Sequence, residues 1–234
     1  MKLFRVIRQN LIKEGKLKRY LLYAIGEILL VMIGILLAFQ VSKWNDNRIK
    51  RNNELNYYQN IKEQIIDDRY LLKEQIEYND YHMILFKYAS KIIEMNDRSK
   101  VDTLGAIIRN LTRYSDFDRN ADIYGSMVNS GELSLLTNFE IVDLIRILEQ
   151  RYNYINRMEN IHYDAVIQYA APSMSNTIKM STNEIMKPEV VYSFKFQNLI
   201  QTLIQIMEEK KHTYVNTINY IDDAIELIGK ELEK

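Results

Sequence analysis

Four oxygen-bearing side chains alternate along the sequence DFDRNAD, and this spacing is typical of the first ligands of an EF-hand calcium loop. Two later positions break the pattern, because Ala121 stands where the loop needs glycine and Met127 where it needs glutamate. We therefore interpret the stretch as a loop that leads into a helix capped by Asn120. The four residues are Asp116, Asp118, Asn120 and Asp122.

Other patterns that could do chemistry are weak. The histidines His82, His162 and His212 fall on three predicted long helices, and nothing in their spacing makes them converge on a metal ion. The chain has no cysteine, which excludes disulfides, thiol catalysis and cysteine-bound metals. It also has no phosphate-binding loop, nucleophile elbow or zinc-protease motif. We predict no enzyme, no cofactor and no metal site.

Glu27 is the one charged residue between Leu21 and Val41 in an otherwise apolar run. A helix of that length covers about 31 Å at ~1.5 Å per residue, which matches the hydrocarbon core of a bilayer. The run predicts a transmembrane helix over 20–43. A carboxylate inside a bilayer is costly unless it faces protein or water, so Glu27 is the most unusual residue of this helix.

Small residues share a helical seam with Glu27, at spacings of three and four. Such a seam lets two helices pack closely, while the polar side chain bonds between them. Three interpretations of Glu27 stay open: packing in a homo-oligomer or against a partner membrane protein, snorkelling towards the segment 16–19, or an ion path. The predicted packing seam is Ala24, Glu27, Val31, Gly34 and Ala38.

The segment 1–19 is basic, with seven lysines and arginines against a single acid, Glu14. The positive-inside rule therefore predicts a cytoplasmic N-terminus and a domain 44–234 in the periplasm of a two-membrane bacterium. The segment is also amphipathic and suits an anionic inner leaflet, which explains its charge without nucleic acid. Four amphipathic residues are predicted interface anchors: Tyr20, Tyr23, Lys43 and Trp44.

Glycine and proline are scarce after the span, which favours long helices. The first runs over 44–95, with apolar residues recurring among charged ones, and 96–102 forms a turn. A short helix follows over 103–112, capped by Asp102, and another over 120–129 closes near Gly131.

Thr137 and Glu140 form a capping box that predicts the start of a second long helix. This helix should end before Pro172, because proline disfavours helical backbone in the preceding residue. The segment 171–188 is predicted to be irregular, and Pro188 to start a last helix that runs to the C-terminus. We predict an all-α fold, with one N-terminal transmembrane helix followed by an extracytoplasmic helical bundle. The alternative is a helical stalk that becomes compact only in an oligomer.

The stretch Arg8–Arg48 contains YAIGEI, IGIL and KWN in that order. It resembles the N-terminal signature of an uncharacterised membrane-protein family of Bacteroidota, with the pattern KY-x-x-YAIGEI-x-L-V-x-IGILIALQI-x-NWN. Phe39 and Ser42 depart from this pattern, and the block Tyr124–Thr137 is similar to a second part of the family. The resemblance implies an inner-membrane protein with a helical periplasmic domain, and it implies no activity.

Three functions fit these observations. The favoured one is a single-pass inner-membrane protein whose periplasmic helical domain serves interaction or scaffolding, within a homo-oligomer or a complex with a partner membrane protein. The second is a subunit of an ion-conducting or transport assembly that uses Glu27 inside the bilayer. The third is a periplasmic ligand sensor.

Overall fold

The computed structural model describes residues 17–119 and 123–234, apart from the side chains at 17, 19, 20 and 123. Residues 1–16 of the predicted cytoplasmic segment, the anchor side chain of Tyr20 and the cap Asn120 therefore lie outside the described residues. The chain is all-α, as predicted. Its helices are α1 (Leu17–Glu94), α2 (Val101–Ile108), α3 (Ile123–Ser130), α4 (Phe139–Ala165), α5 (Ala171–Thr177), α6 (Pro188–Val191) and α7 (Phe194–Leu232).

Shorter elements join these helices. Single 3-10 turns occupy Arg98–Lys100 and Glu132–Leu135, and a π-helix occupies Val166–Ala170. Two-residue strands, β1 (Ile178–Lys179) and β2 (Glu184–Ile185), pair antiparallel in a hairpin. The hairpin lies within the segment that the sequence predicted to be irregular.

The chain divides into two compact units, Met1–Glu54 and Leu55–Lys234. The described part of the first unit is helical, and its apolar side chains from Leu21 to Val41 are exposed or half-buried. Within the described residues, one helix, α1, is long and apolar enough to cross a membrane by length and composition. A β-carbon placed on Gly26 or Gly34 would meet nothing within 4 Å, so this surface is open to a neighbour.

The second unit is built on three long helical segments: α1 from Leu55 onward, α4 and α7. Their buried side chains form two apolar clusters. The Tyr58 cluster includes Tyr58, Leu72, Ile141, Ile155, Ile221 and Ile228. The Phe86 cluster includes Phe86, Ile93, Leu104, Ile108, Ile200 and Met207.

Two predicted helix starts are wrong by one or two residues. Asp102 does not cap α2; it lies in the first turn of the helix, where its charge complements the helix dipole. Asn138, rather than Thr137, caps α4, since its side-chain oxygen accepts hydrogen bonds from the amides of Glu140 and Ile141. Threonine and asparagine are both favoured at helix N-caps, so the sequence alone does not decide between Thr137 and its neighbour Asn138.

The second long helix, α4, ends at Ala165 and so before Pro172, as predicted, but helical backbone continues through this proline as the π-helix and α5. Pro172 has no amide hydrogen, so it cannot close an ordinary helical hydrogen bond. The backbone instead widens into the π-helix, where the Ala171 amide donates to the Val166 carbonyl. The prediction that Pro188 starts the last helix is wrong, because Pro188 starts only the short α6. Ser193 caps the last helix instead, and its hydroxyl accepts a hydrogen bond from the Phe196 amide.

Candidate functional site

A layer of polar side chains lies between the Tyr58 and Phe86 clusters. Its residue on α1 lies between Leu72 and Met83, and its residues on α7 come after Met207. On α4 it falls between Ile155 and Ala165. We call this set the polar layer: Asn79, Ser115, Glu159, His162, Lys210 and Tyr214.

Glu159 is the acid of the polar layer and accepts two hydrogen bonds on one oxygen. Its Oε1 receives the Tyr214 hydroxyl at 2.5 Å and the Phe117 amide at 2.7 Å. Burial raises the pKa of Glu159, although these two donors and the charge of Lys210 oppose the shift. The carboxyl therefore serves as a satisfied acceptor inside the bundle.

Lys210 is fully buried in the same layer. Its Nζ donates to the Ser115 carbonyl at 2.5 Å and lies 3.5 Å from His162 Nδ1. The ring centroids of Tyr114 and Tyr214 are each 5.9 Å from Nζ, within the range of cation–π contacts. Burial lowers the pKa of Lys210, and the Glu159 carboxylate acts in the opposite direction.

His162 completes the layer as a neutral imidazole. Burial, followed by the positive charge of Lys210, lowers the pKa of His162 to about 3. Because Nδ1 faces the Lys210 ammonium as an acceptor, we assign the ring hydrogen to Nε2. Nε2 is buried and has no hydrogen-bond partner among the described residues.

The polar layer is closed to substrates, since its side chains are buried between the two apolar clusters. A buried network whose members bond to one another fixes the alignment of the helices that carry it, because a shifted helix leaves donors and acceptors unpaired. Asn79 adds to this, donating through Nδ2 to the Met207 carbonyl at 2.8 Å. The polar layer therefore aligns α1, α4 and α7 through its hydrogen bonds.

A second polar group lies in the Tyr58 cluster, around Arg119. Its guanidinium makes a bidentate pair with Glu149 at 2.7 and 2.8 Å and lies 5.0 Å from the Tyr152 ring centroid. Tyr152 also stacks on Phe117, with centroids 5.5 Å apart. Burial raises the pKa of the neighbouring Asp68 to about 6. This group attaches the loop before α3 to α4.

A cleft of about 450 Å³ opens beside the π-helix. This volume is within the range of small-molecule sites in proteins. Residues of α4, the π-helix, α5, α6 and α7 line it. The lining side chains are Ala165, Tyr169, Ser173, Asn176, Thr177, Val190, Ser193, Lys195, Phe196, Asn198, Leu199, Thr202 and Leu203.

The predicted packing seam lies on one helix, α1. Ala24 and Glu27 are half-buried there, and Val31, Gly34 and Ala38 are exposed. Of the predicted anchors, Tyr23 is half-buried, while Lys43 and Trp44 are exposed. Their roles in packing and anchoring stay predictions.

The three histidines do not come together. The His82 ring packs beside Tyr78, with centroids 4.4 Å apart, and the exposed His212 contacts Asn216. In the part of the chain that the structure describes, no three His, Asp or Glu side chains are grouped as metal ligands. Of the calcium-like stretch, Asp116 and Asp118 are described, while Asn120 and Asp122 are not.

Sequence reasoning missed Glu159 and Lys210 as functional residues. A signal was present, because both continue apolar seams at spacings of three and four. On α4 the seam Ile141, Ile145, Leu148, Tyr152 and Ile155 leads to Glu159 and His162. A charged residue in register with such a seam indicates a buried polar group.

The model of a family described as "Family of unknown function (DUF6090)" matches residues 27–219. No curated protein and no solved structure matches the chain.

Proposed function

The chain belongs to DUF6090, a family of unknown function, and from this premise we propose that it is a single-pass inner-membrane protein of Bacteroidota. Its helical domain serves interaction or scaffolding in the periplasm. The observation that carries the proposal is the apolar stretch of α1, where an 18-residue window has none of its residues buried within the protein. An exposed apolar surface of this length is stable in lipid and costly in water.

The proposed orientation rests on the excess of basic residues before the span. Because the chain has no cysteine, a single introduced cysteine reports on one position alone. We expect a membrane-impermeant maleimide to label Ser181→Cys in cells with a permeabilised outer membrane, and to spare Asn10→Cys until the inner membrane is broken. Labelling of Asn10→Cys first would overturn the orientation.

An exposed apolar face on α1 supports the interaction role. Tyr81, Ile84 and Tyr88 follow one another at spacings of three and four, and the first two are 63% and 66% exposed. Exposed apolar patches of this kind mark protein–protein contacts. We propose that this face packs against a second copy of the chain, or against a partner membrane protein.

The native mass of the chain extracted in a mild detergent tests this role. We expect a defined oligomer or complex that Ile84→Glu shifts to the monomer mass. The matched control is Gln205→Glu, which adds the same charge at an exposed position of α7 and should leave the mass unchanged. A wild-type chain that is monomeric and has no co-purifying partner would contradict the proposal.

A further inference from the structure

The cleft beside the π-helix has an apolar wall, and its volume of about 450 Å³ can hold the body of a small ligand. The buried side chains of Phe196 and Leu203 line this wall together with Leu199 and Val190. Tyr169, which is 61% exposed, stands on the π-helix at the edge. Ligand sites in proteins have this composition, mostly apolar with a few polar groups that orient the ligand.

Three of the five hydroxyl groups that line the cleft are already committed as donors. Thr177 donates to the Ser173 carbonyl, Ser193 to the Val190 carbonyl and Thr202 to the Asn198 carbonyl, at 2.6, 2.6 and 2.9 Å. Each hydroxyl carries a single hydrogen, so these side chains offer a ligand only their lone pairs. Additional donors must come from other side chains of the lining.

Those donors are the Lys195 ammonium, the side-chain amides of Asn176 and Asn198, and the hydroxyls of Tyr169 and Ser173. None of these five side chains makes a side-chain hydrogen bond or ion pair within the described part of the chain. Lys195 is the one charged side chain among the described residues of the lining, and no acid accompanies it there. The polar edge of the cleft is therefore positive and rich in donors, which favours an anionic acceptor.

We propose that this cleft binds a small amphiphile with an apolar body and an anionic head, taken up from solution. The body lies against Phe196, Leu199 and Leu203, and the head accepts hydrogen bonds from Lys195 and the neighbouring amides. Octanoate is a suitable probe, because it combines a carboxylate with a short hydrocarbon chain. This inference does not depend on the orientation of the protein in the membrane.

A unique cysteine in the cleft reports on occupancy. Ser173→Cys is nearly isosteric, and it places a thiol in the lining of a chain that has no other cysteine. In phosphatidylcholine nanodiscs holding the full chain, we expect saturating octanoate to slow maleimide labelling of this thiol at least fivefold. Labelling of Ser181→Cys, in the exposed hairpin turn, should not change. Thr202→Cys gives a second position in the cleft if Ser173→Cys does not fold.

The head group is tested with three ligands that each carry an eight-carbon chain. A charge-assisted hydrogen bond adds selectivity, so we expect octanoate to protect the thiol at about tenfold lower concentration than octanol. Octyltrimethylammonium should protect least. Lys195→Met should remove the difference between octanoate and octanol, whereas Lys179→Met, at an exposed lysine outside the cleft, should keep it.

Several outcomes would overturn the inference. Absence of protection by octanoate at both cleft cysteines would show that the cleft does not bind such a molecule. Equal protection by octanoate and octanol would show that it does not select an anion. Protection by phosphatidylglycerol in the nanodisc, with no added octanoate, would show that a membrane lipid supplies the head rather than a ligand from solution.

Discussion

The backbone carbonyl oxygen of Asn183 lies 2.1 Å from the point that a β-carbon on Gly105 would occupy. Helix α2 therefore contacts the turn of the hairpin directly, backbone against backbone. Within the turn, Asn183 adopts a left-handed conformation with φ of 63°, and its amide donates to the Lys179 carbonyl at 2.8 Å. Glycine at position 105 permits a close approach that any other residue would prevent.

We expect Gly105→Ala to lower the free energy of unfolding by about 1–3 kcal/mol, which is typical of overpacking in a filled core. The added methyl group must push the Asn183 carbonyl away, so the hairpin loses its contact with α2. Urea denaturation of the full chain in detergent, followed by far-ultraviolet circular dichroism, measures the change.

Gly229→Ala is the matched control for this substitution. A β-carbon there would lie 3.4 Å from the flexible end of the Lys62 side chain, which can move aside. Alanine is favoured over glycine in a helix interior by about 1 kcal/mol, so we expect this variant to be stabilised. If the two substitutions change the free energy of unfolding equally, the hairpin turn can move away from α2 at no cost, and the close contact is not needed for stability.

The second prediction concerns the stability of Glu159 variants, because one oxygen of this side chain accepts two buried hydrogen bonds. Glu159→Gln keeps an acceptor oxygen at that place, and we expect its free energy of unfolding at pH 6 to stay within about 1 kcal/mol of wild type. Glu159→Leu leaves the buried Phe117 amide without an acceptor, and leaves the Tyr214 hydroxyl only the Ser115 hydroxyl, 3.3 Å away. We expect it to cost about 2–4 kcal/mol, measured by the same denaturation. A costly glutamine and a tolerated leucine would contradict this account.

The stability of the chain at acidic pH depends on His162. Its pKa is about 3 in the folded chain, against 6.5 for an unperturbed histidine, so the unfolded chain takes up a proton first as the pH falls. The contribution of His162 to stability is therefore lost below pH 6.5, by ~1.4 kcal/mol per unit. Between pH 6.5 and 5 we expect wild type to lose about 2 kcal/mol more than His162→Gln.

Glu159 has a raised pKa, so its contribution to stability grows as the pH falls, opposite in sign to that of His162. Because wild type and His162→Gln both contain Glu159, this contribution cancels when the two proteins are compared. His212→Gln, at an exposed histidine, is the control and should follow wild type. A pH dependence that His162→Gln leaves unchanged would show that another group dominates acid unfolding.

The packing seam of the span gives a prediction on contact rather than on stability. We expect a photo-cross-linking residue at position 27 to give an adduct with a second copy or a partner protein, because Ala24, Gly34 and Ala38 share its face. Position 30 lies on another face and should give less. Adducts from position 30 alone would exclude packing through Glu27 and favour snorkelling.

Much of the helical framework was predictable from the spacing of apolar residues. The long helices and the position of Gly131 after α3 follow from amphipathic periodicity and from stop signals that act within a few residues. The course of the chain at Pro172 was not predictable in this way. A lone proline is compatible with a helix end or with a local widening, and tertiary packing of the residues on both sides decides between them.

The polar layer and the cleft were harder to predict for a related reason. The apolar seam of α7 places Lys210 on the buried face, but its hydrogen-bond acceptor, the Ser115 carbonyl, comes from a distant loop. The cleft joins Tyr169 on the π-helix with Leu203 on α7, and no local pattern reports that distance. Both features depend on contacts between segments far apart in the chain, whereas periodicity describes one segment at a time.

The position of the polar layer also affects how the bundle opens locally. Because polar contacts separate the Tyr58 cluster from the Phe86 cluster, the two halves of the bundle need not open together. We expect amide hydrogen exchange to resolve them as two cooperative units with different opening free energies. Lys210 and Glu159 would then mark the boundary at which an opening event in one half stops before it reaches the other.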